Sequence, residues 1–253
     1  MGIKKIICLI AVLVSLAALS VSGFQLVKYL YSGHEDLSEY YNSTYEESTS
    51  DSTPELSDNP IDFSALKTEN PDVCGWIRID GTAIDYPVLR SGEDTAEGFY
   101  LNHGIDRVKK NTGSIYIEKL NSPNFIDPVT VIYGHNMRNG SMFAAATNYK
   151  NRDFFEQNPN IYIYTEGHIL TYEVFSAFLY DDKHLMYSFD FYDAASYNEF
   201  LQTCLAPQSS IKNVRENAAV STDDKIIVLS TCYAEDDDRF LVVARQISDT
   251  PTK

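Results

Sequence analysis

Eight short segments rich in β-branched and aromatic residues follow one another between residues 74 and 246 of this chain. Each has five to nine residues, and turn-forming pairs such as Asp80-Gly81 and Asn139-Gly140 stand between them. Strands of this number and length favour a closed or nearly closed β-barrel. The sequence therefore predicts a mainly β fold, with strands at residues 74–79, 84–89, 113–118, 129–133, 160–164, 170–178, 225–229 and 240–246.

Apolar residues at helical spacing predict peripheral helices between these strands. Residues 62–69 begin with an aspartate that can cap a helix, and residues 141–148 are a second candidate. In the longest predicted helix, residues 193–205, apolar side chains recur at three- and four-residue intervals, namely Tyr197, Phe200, Leu201 and Cys204. No internal repeat and no second linker divides residues 61–253, so we expect one folded domain there.

An uncharged stretch of 22 residues, residues 6–27, follows Lys4 and Lys5 at the start of the chain. A helix of this length, rising about 1.5 Å per residue, crosses the roughly 30 Å core of a bilayer. Lysines before such a segment stay in the cytoplasm. The sequence therefore predicts a cytoplasmic N-terminus at residues 1–5, a transmembrane signal anchor at residues 6–27 and an extracellular remainder. The alternative is a secretory signal peptide cleaved after Ser22.

Acidic and small polar residues dominate the next segment, residues 28–60. Between residues 33 and 60 there are eight Asp and Glu residues and no Lys or Arg. Like charges keep such a segment extended, so we expect an extracellular linker that holds the domain away from the membrane. The whole chain has 20 Lys and Arg residues against 36 Asp and Glu residues, a net charge of −16, which argues against nucleic acid as a partner.

The four cysteines differ in their sequence context. Cys8 lies in the predicted membrane segment, Cys74 in a strand and Cys204 on the apolar face of the long helix, so we expect these three to be buried. Cys232 instead ends an apolar strand and opens a polar loop. A thiol in that place is held by the sheet and exposed to substrate, which makes Cys232 the candidate nucleophile.

A cysteine nucleophile needs an acid–base group or a cation nearby. Of the five histidines, His135 stands out because it closely follows the predicted strand 129–133 and so also lies at the end of a buried strand. A weaker candidate is His103, in a loop. Surface positions are expected for the remaining three, His34, His168 and His184.

Arg239 stands seven residues after Cys232, at the start of the predicted strand 240–246. If the two strands are antiparallel neighbours, Cys232 and Arg239 face each other across the hairpin, and the guanidinium can bind an oxyanion or substrate carbonyls. The alternative is an ion pair with one of the acids at residues 236–238. The spacing favours neither arrangement.

Taken together, these elements resemble the sortases, cysteine transpeptidases of Gram-positive cell surfaces. The resemblance rests on the Leu-Ser-Thr-Cys that ends at Cys232, the Tyr-Gly-His that ends at His135 about one hundred residues earlier, and Arg239 before an apolar strand. The similarity to class B in particular lies in the long helix before the cysteine strand and in residues 70–77, 84–88, 100–102 and 113–117.

The resemblance implies a sortase-type, eight-stranded β-barrel and a cut-and-join reaction. Cys232 would attack the carbonyl after Thr in a C-terminal sorting signal, and an amine would resolve the thioacyl enzyme. His135 would protonate the leaving amine and later act as base for the incoming one, while Arg239 would hold substrate and oxyanion. By the same analogy, the residues that line the substrate site are Asn102, Tyr133, Met186, Tyr187, Ser230 and Thr231.

The implied partners are surface proteins with an Asn-Pro-x-Thr or Pro-x-Thr sorting signal, a lipid-linked peptidoglycan precursor that supplies the amine, and the membrane. The loop of residues 233–238 departs from the family because it is short and strongly acidic. Its carboxylates oppose thiolate formation and compete for Arg239. Consecutive acids lack the alternating spacing of calcium ligands, so we expect no cofactor and no required metal.

Three other functions stay open at this point. The same chemistry with a pilin lysine as acceptor would make a polymerase of surface fibres. A non-catalytic, surface-displayed binding barrel would carry Cys232 only as a buried thiol. A secreted cysteine protease would release its products even when an amine acceptor is abundant.

Overall fold

In the part of the chain that the structure describes, nine strands form one sheet, and eight of them close into a barrel. The computed structural model describes residues 25–27, 37, 40–41, 56–233 and 238–253. The strands are β1 (Val73–Arg78), β2 (Asp85–Arg90), β3 (Ile115–Ile117), β4 (Val129–Tyr133), β5 (Asn160–Thr165), β6 (His168–Asp181), β7 (Lys212–Val214), β8 (Ile226–Tyr233) and β9 (Asp238–Pro251). Their order around the barrel is β5-β1-β2-β3-β4-β8-β9-β6, and pairing of β6 with β5 completes the circle. The predicted mainly β, eight-stranded barrel is confirmed.

All eight predicted strands are present, and β4 has the predicted bounds. Four of the others are longer than predicted: β5 by one residue, and more clearly β6 and β9, with 14 residues each, and β8, with eight. The ninth strand, β7, was not predicted. It has only three residues, which pair with residues 176–178 of β6 outside the closed circle.

Within the described residues from 56 onward, four α-helices and two 3-10 helices surround the barrel. The α-helices are α1 (Phe63–Glu69), α2 (Arg152–Gln157), α3 (Leu185–Ser188) and α4 (Ala194–Leu205), and the 3-10 helices are η1 (Phe99–Leu101) and η2 (Phe143–Lys150). The side chain of Asp62 caps α1 by accepting hydrogen bonds from two backbone N–H groups, as predicted. The helix predicted at residues 141–148 is the 3-10 helix η2, while α2, α3 and η1 are too short to give a periodic signal.

The central strand β8 is buried on both of its faces. Ile227 and Leu229 point into the cluster of apolar side chains inside the barrel, whereas Ile226 and Val228 pack against the cluster that includes α4. Neighbouring β4 runs parallel to β8, and β9 runs antiparallel to it. Residues at the C-terminal end of β8 are therefore held by backbone pairing on both sides and by packing on both faces.

Two tyrosines of the predicted linker contact the barrel. Tyr40 is 5% exposed and belongs to the apolar cluster around Trp76. The hydroxyl of Tyr41 donates a hydrogen bond to Asp85 at 2.6 Å, and the Trp76 indole donates to the same carboxylate at 2.6 Å. At these two positions the chain is packed rather than hydrated.

Residues 1–35 form a separate unit, of which the structure describes only residues 25–27, in a helix. The prediction of a transmembrane segment at residues 6–27 therefore lies almost entirely outside the described residues. Among the described residues, no helix combines the length and the hydropathy that crossing a bilayer requires.

Candidate active site

Cys232 and Arg239 are register partners on the antiparallel strands β8 and β9, as the sequence predicts for neighbouring strands. Side chains of register partners point to the same face of the sheet. The Cys232 side chain is exposed, whereas the six residues before it on β8 are buried. Arg239 is partly buried, and its Nη1 donates a hydrogen bond to the Asp238 carbonyl at 3.3 Å. The predicted alternative was an ion pair with an acid of residues 236–238. Residues 236 and 237 lie outside the described residues, and the contact of Nη1 with Asp238 is to the backbone carbonyl.

His135 lies two residues after the end of β4, close to Cys232 and Arg239. The Gly134 N–H donates to the Ser230 carbonyl at 3.2 Å, which extends the pairing of β4 with β8 beyond the end of β4. The imidazole Nε2 lies 2.7 Å from the Leu101 carbonyl of η1. Because a carbonyl only accepts, this contact requires a proton on Nε2 and leaves Nδ1 to exchange protons with other groups.

A cleft of about 240 Å³ joins these three residues. The predicted substrate-lining residues Tyr133, Ser230 and Thr231 also line it. Asn102 does not line it, although its neighbour Leu101 does. Two other predicted lining residues lie instead in a second groove of about 390 Å³, and these are Met186 and Tyr187.

Comparison with known proteins decides the family. The family model described as "Sortase domain" matches residues 77–247. The chain belongs to the sortase family. A sortase B from Listeria monocytogenes is 33% identical over 245 residues, which cover 94% of each chain. The resemblance noted from the sequence is thereby confirmed, and this sortase is a cysteine transpeptidase of class B.

Solved structures agree with this assignment. The X-ray structure of Clostridium perfringens sortase B has a TM-score of 0.65 and 35% sequence identity, and the match covers 73% of this chain and 99% of that chain. The Staphylococcus aureus sortase B–substrate complex has a TM-score of 0.64 and 29% identity, and covers 74% of this chain and 85% of that chain. The fold of this chain is thus similar to that of solved class B sortases.

Two residues that the sequence analysis did not select, Glu118 and His184, also line the cleft of the sortase. His184, which was expected at the surface, has 34% of its side chain exposed. It caps α3, and its Nε2 lies 2.8 Å from Glu118 Oε1. Its ring contacts that of Tyr187, with 4.4 Å between the centroids. No local pattern in the sequence marks either residue, because their contact joins positions 66 apart.

Buried polar atoms without hydrogen-bond partners are concentrated in this cleft. Among the described residues there are six such side-chain atoms, and four of them belong to residues that line the cleft: Glu118 Oε2, Tyr133 Oη, His184 Nδ1 and Thr231 Oγ1. Burial, and then the negative charge of Glu118, raise the pKa of Tyr133 well above its ordinary value. Such atoms cost free energy in the folded protein, which is typical of a site shaped to bind a polar ligand.

The remaining cysteines of the described residues have different surroundings. Cys204 is fully buried, and burial raises the pKa of its thiol well above 9.0. Cys74 is partly buried, donates to the Val88 carbonyl at 3.4 Å, and has a pKa raised by burial to about 12. Cys232 is the exposed thiol among these three. Within the described part of the chain, which leaves out residues 234–237, no cluster of His, Cys, Asp and Glu is arranged to hold a metal ion.

Proposed function

We propose that this sortase cleaves a C-terminal sorting signal of the Asn-Pro-x-Thr or Pro-x-Thr type after Thr and joins the protein to an amine of cell-wall peptidoglycan. The observation that carries the proposal is the meeting of an exposed Cys232, its register partner Arg239 and His135 in one cleft. A thiol, an imidazole and a guanidinium are the groups that thioacyl transfer requires.

In the proposed first step, the Cys232 thiolate attacks the carbonyl carbon of Thr. Arg239 stabilises the oxyanion that forms, since a guanidinium offers fixed, charged N–H donors. The C–N bond then breaks, and the leaving amine takes a proton from His135. The contact of Nε2 with the Leu101 carbonyl supports Nδ1 as the atom that carries this proton.

In the second step, the incoming amine attacks the thioacyl carbon and His135 accepts its proton. The new amide forms as the C–S bond breaks, and Cys232 leaves as the thiolate. The hydrogen bond from Asn136 Nδ2 to the Cys232 carbonyl, at 3.0 Å, supports a fixed position for the nucleophile through both steps.

We further propose that residues 6–27 anchor the enzyme in the cell membrane, with residues 1–5 in the cytoplasm, residues 28–60 as a linker and residues 61–253 as the extracellular catalytic domain. The uncharged segment behind Lys4 and Lys5 supports this arrangement. Its test is protease treatment of intact cells that express the full chain, which should digest the domain and spare the N-terminus.

The test of the reaction uses the full chain in detergent with Asn-Pro-x-Thr and Pro-x-Thr peptides, with and without a glycine-type amine. Substitution of Cys232, His135 or Arg239 by Ala should abolish both cleavage and ligation. The matched controls Cys74→Ala and His168→Ala change the same residue types outside the cleft and should keep activity.

Cleavage that survives Cys232→Ala, or no cleavage of any peptide, would contradict the proposal. Release of free acid in the presence of abundant amine would indicate a protease instead. A product joined to a pilin lysine in preference to the wall amine, detected by mass spectrometry, would indicate a fibre polymerase.

A further inference from the structure

The second groove of the structure begins where the catalytic cleft ends. We call it the α3 groove, and it is lined by residues 120–121, 127–129 and 186–192. Within α3 and its cap, His184 and Leu185 line the cleft, and the next two residues line the groove. One short helix is therefore shared by the two depressions, and a ligand that leaves the cleft past α3 enters the groove.

The α3 groove has an exposed apolar lining and acidic charge. Its rings Tyr187 and Tyr192 are 76% and 78% exposed, and Leu120 is 51% exposed. Asp127 and Asp190 are the charged residues that line it, with no Lys or Arg among the described lining residues. Single exposed apolar residues are ordinary on a protein surface, but several in one groove are typical of a binding surface.

Strand register gives the distance between the catalytic residues and the groove. Tyr133 pairs with Ser230 on parallel strands, so Cys232 lies level with residue 135. The groove includes Val129, six residues earlier along the same direction. At about 3.3 Å per residue, the part of the groove at Val129 lies about 20 Å along the strands from the level of Cys232, which an extended peptide spans with about six residues.

The two halves of the substrate make different demands on the site. The half before the scissile bond stays attached to Cys232 throughout the reaction, whereas the other half leaves and the amine takes its place. The retained half therefore gains most from a fixed position, and the buried polar atoms of Glu118, Tyr133 and His184 can supply its contacts in the cleft. Four extended motif residues ending in Thr would span about 13 Å from Cys232, so the residues before the motif would reach the part of the groove at Val129.

We propose that the α3 groove binds the substrate segment that precedes the sorting motif, and that it prefers a segment with an aromatic or large apolar side chain next to a Lys or Arg. This inference rests on the proposed function. The exposed rings supply the apolar contact, and the acidic lining supplies the charge complement.

The test compares three peptides with the full-length enzyme: the bare motif, the motif extended upstream by Phe-Lys-containing residues, and the same extension with Glu in place of Lys. We expect the Lys extension to raise kcat/KM by about fivefold over the bare motif and the Glu extension to give no gain. The amine is left out, so that only the acyl half is measured.

Two variants locate the effect. Tyr192→Ala removes an exposed ring, and Asp190→Asn removes a charge while keeping the Oδ1 that accepts from the Tyr192 N–H at 3.0 Å. Both should abolish the gain of the Lys extension and leave the bare motif unchanged. The matched controls are Tyr192→Phe, which keeps the ring, and Glu216→Gln, which changes an exposed acid that does not line the groove.

The outcomes separate the two proposals. If the bare motif is not cleaved at all, the proposed function fails; if it is cleaved but the extensions make no difference, only the groove assignment fails. Equal losses for short and long peptides in Tyr192→Ala would also overturn it. Two further measurements would also overturn it. In a separate ligation assay with a glycine-type amine, a Tyr192→Ala effect confined to the KM of the amine would mean that the groove holds the acceptor. In sedimentation, a dimer that Tyr192→Ala dissociates would mean that the groove holds a second copy.

Discussion

Replacement of Gly134 by Ala should damage both stability and catalysis, because the glycine lies between the barrel core and His135. A Cβ at this position would lie 2.5 Å from Ile115 Cδ1 and 2.7 Å from Phe143 Cδ2. Carbon atoms in contact are normally about 3.5–4.0 Å apart, so the overlap is about 1 Å. Both neighbours are fully buried and have no free volume to move into.

Overpacking of this kind costs about 1–3 kcal/mol of the free energy of unfolding. For a domain of this size, each kcal/mol lowers Tm by about 2–4 °C, so we expect a loss of about 2–12 °C. The catalytic effect follows from the backbone, since the Phe143 N–H donates to the His135 carbonyl at 2.9 Å. A displaced Phe143 therefore displaces His135, and an error of about 1 Å there costs on the order of 100-fold in kcat.

The assay measures Tm by calorimetry and kcat for peptide cleavage in a double-mutant cycle with Ile115→Val. That second change removes the Cδ1 atom that the new Cβ would strike. On its own it should cost about 1 kcal/mol, but in the Gly134→Ala background it should cost less or stabilise the protein. Gly140→Ala is the control, because Gly140 has a φ of +86° and nothing within 4 Å of its Cβ position, so Ile115→Val cannot relieve it. The reasoning is refuted if Gly134→Ala keeps the wild-type Tm and kcat, or if Ile115→Val costs the same in both backgrounds.

Three further predictions concern other parts of the cleft and core. Thr231→Val removes a buried hydroxyl without a hydrogen-bond partner, so it should raise the free energy of unfolding, measured in urea, by about 1 kcal/mol. It should also lower kcat/KM for the sorting peptide. A lower free energy of unfolding would mean that the hydroxyl has a partner. Glu118→Ala breaks the contact with His184 that holds α3, so the KM for the sorting peptide should rise about tenfold while kcat stays within about twofold. Glu118→Gln keeps an acceptor and should recover most of this loss. A fall in kcat as large as the rise in KM would contradict the positioning role. Above pH 9.0 the unfolded chain ionises Cys204 while the native thiol stays protonated, so the unfolded state binds fewer protons and the free energy of unfolding should fall as the pH rises. Urea titrations from pH 8 upward should show that the free energy of unfolding falls less steeply with pH in Cys204→Ala than in the wild type, by up to about 1.4 kcal/mol per pH unit. Identical slopes in the two proteins would refute the raised pKa of Cys204.

The strands of the barrel were predictable because their side chains carry a local signal. Val129–Tyr133 is a run of β-branched and aromatic residues, and the structure starts and ends β4 at those residues. β7 has no such run, because its three residues are Lys, Asn and Val and it exists only through pairing with β6. The packing of Tyr40 likewise depends on Trp76, 36 positions away, and no local pattern encodes it.

The same distinction applies to the candidate site. Cys232, His135 and Arg239 each stand at the edge of an apolar strand, so their neighbourhood in the chain predicts that they meet. The pair of Glu118 and His184 spans 66 positions, and neither residue has a local context that separates it from an ordinary surface residue. Asn136 was missed for a related reason, since its partner is the backbone carbonyl of Cys232, 96 positions later.

The separation of chain segments in the site has a consequence for engineering. Cys232 lies on β8, Arg239 on β9 and His135 just after β4, whereas residues 182–185 of the cleft lining come from the single segment between β6 and α4. That segment is attached to the body by two buried side chains, Leu185 and Phe191, and by the contact of His184 with Glu118. Under the proposed function, residues 182–193 therefore form a unit for transplantation: exchange of this stretch between class B enzymes, with its anchors retained, should change which peptide is accepted without altering the residues proposed to cut it.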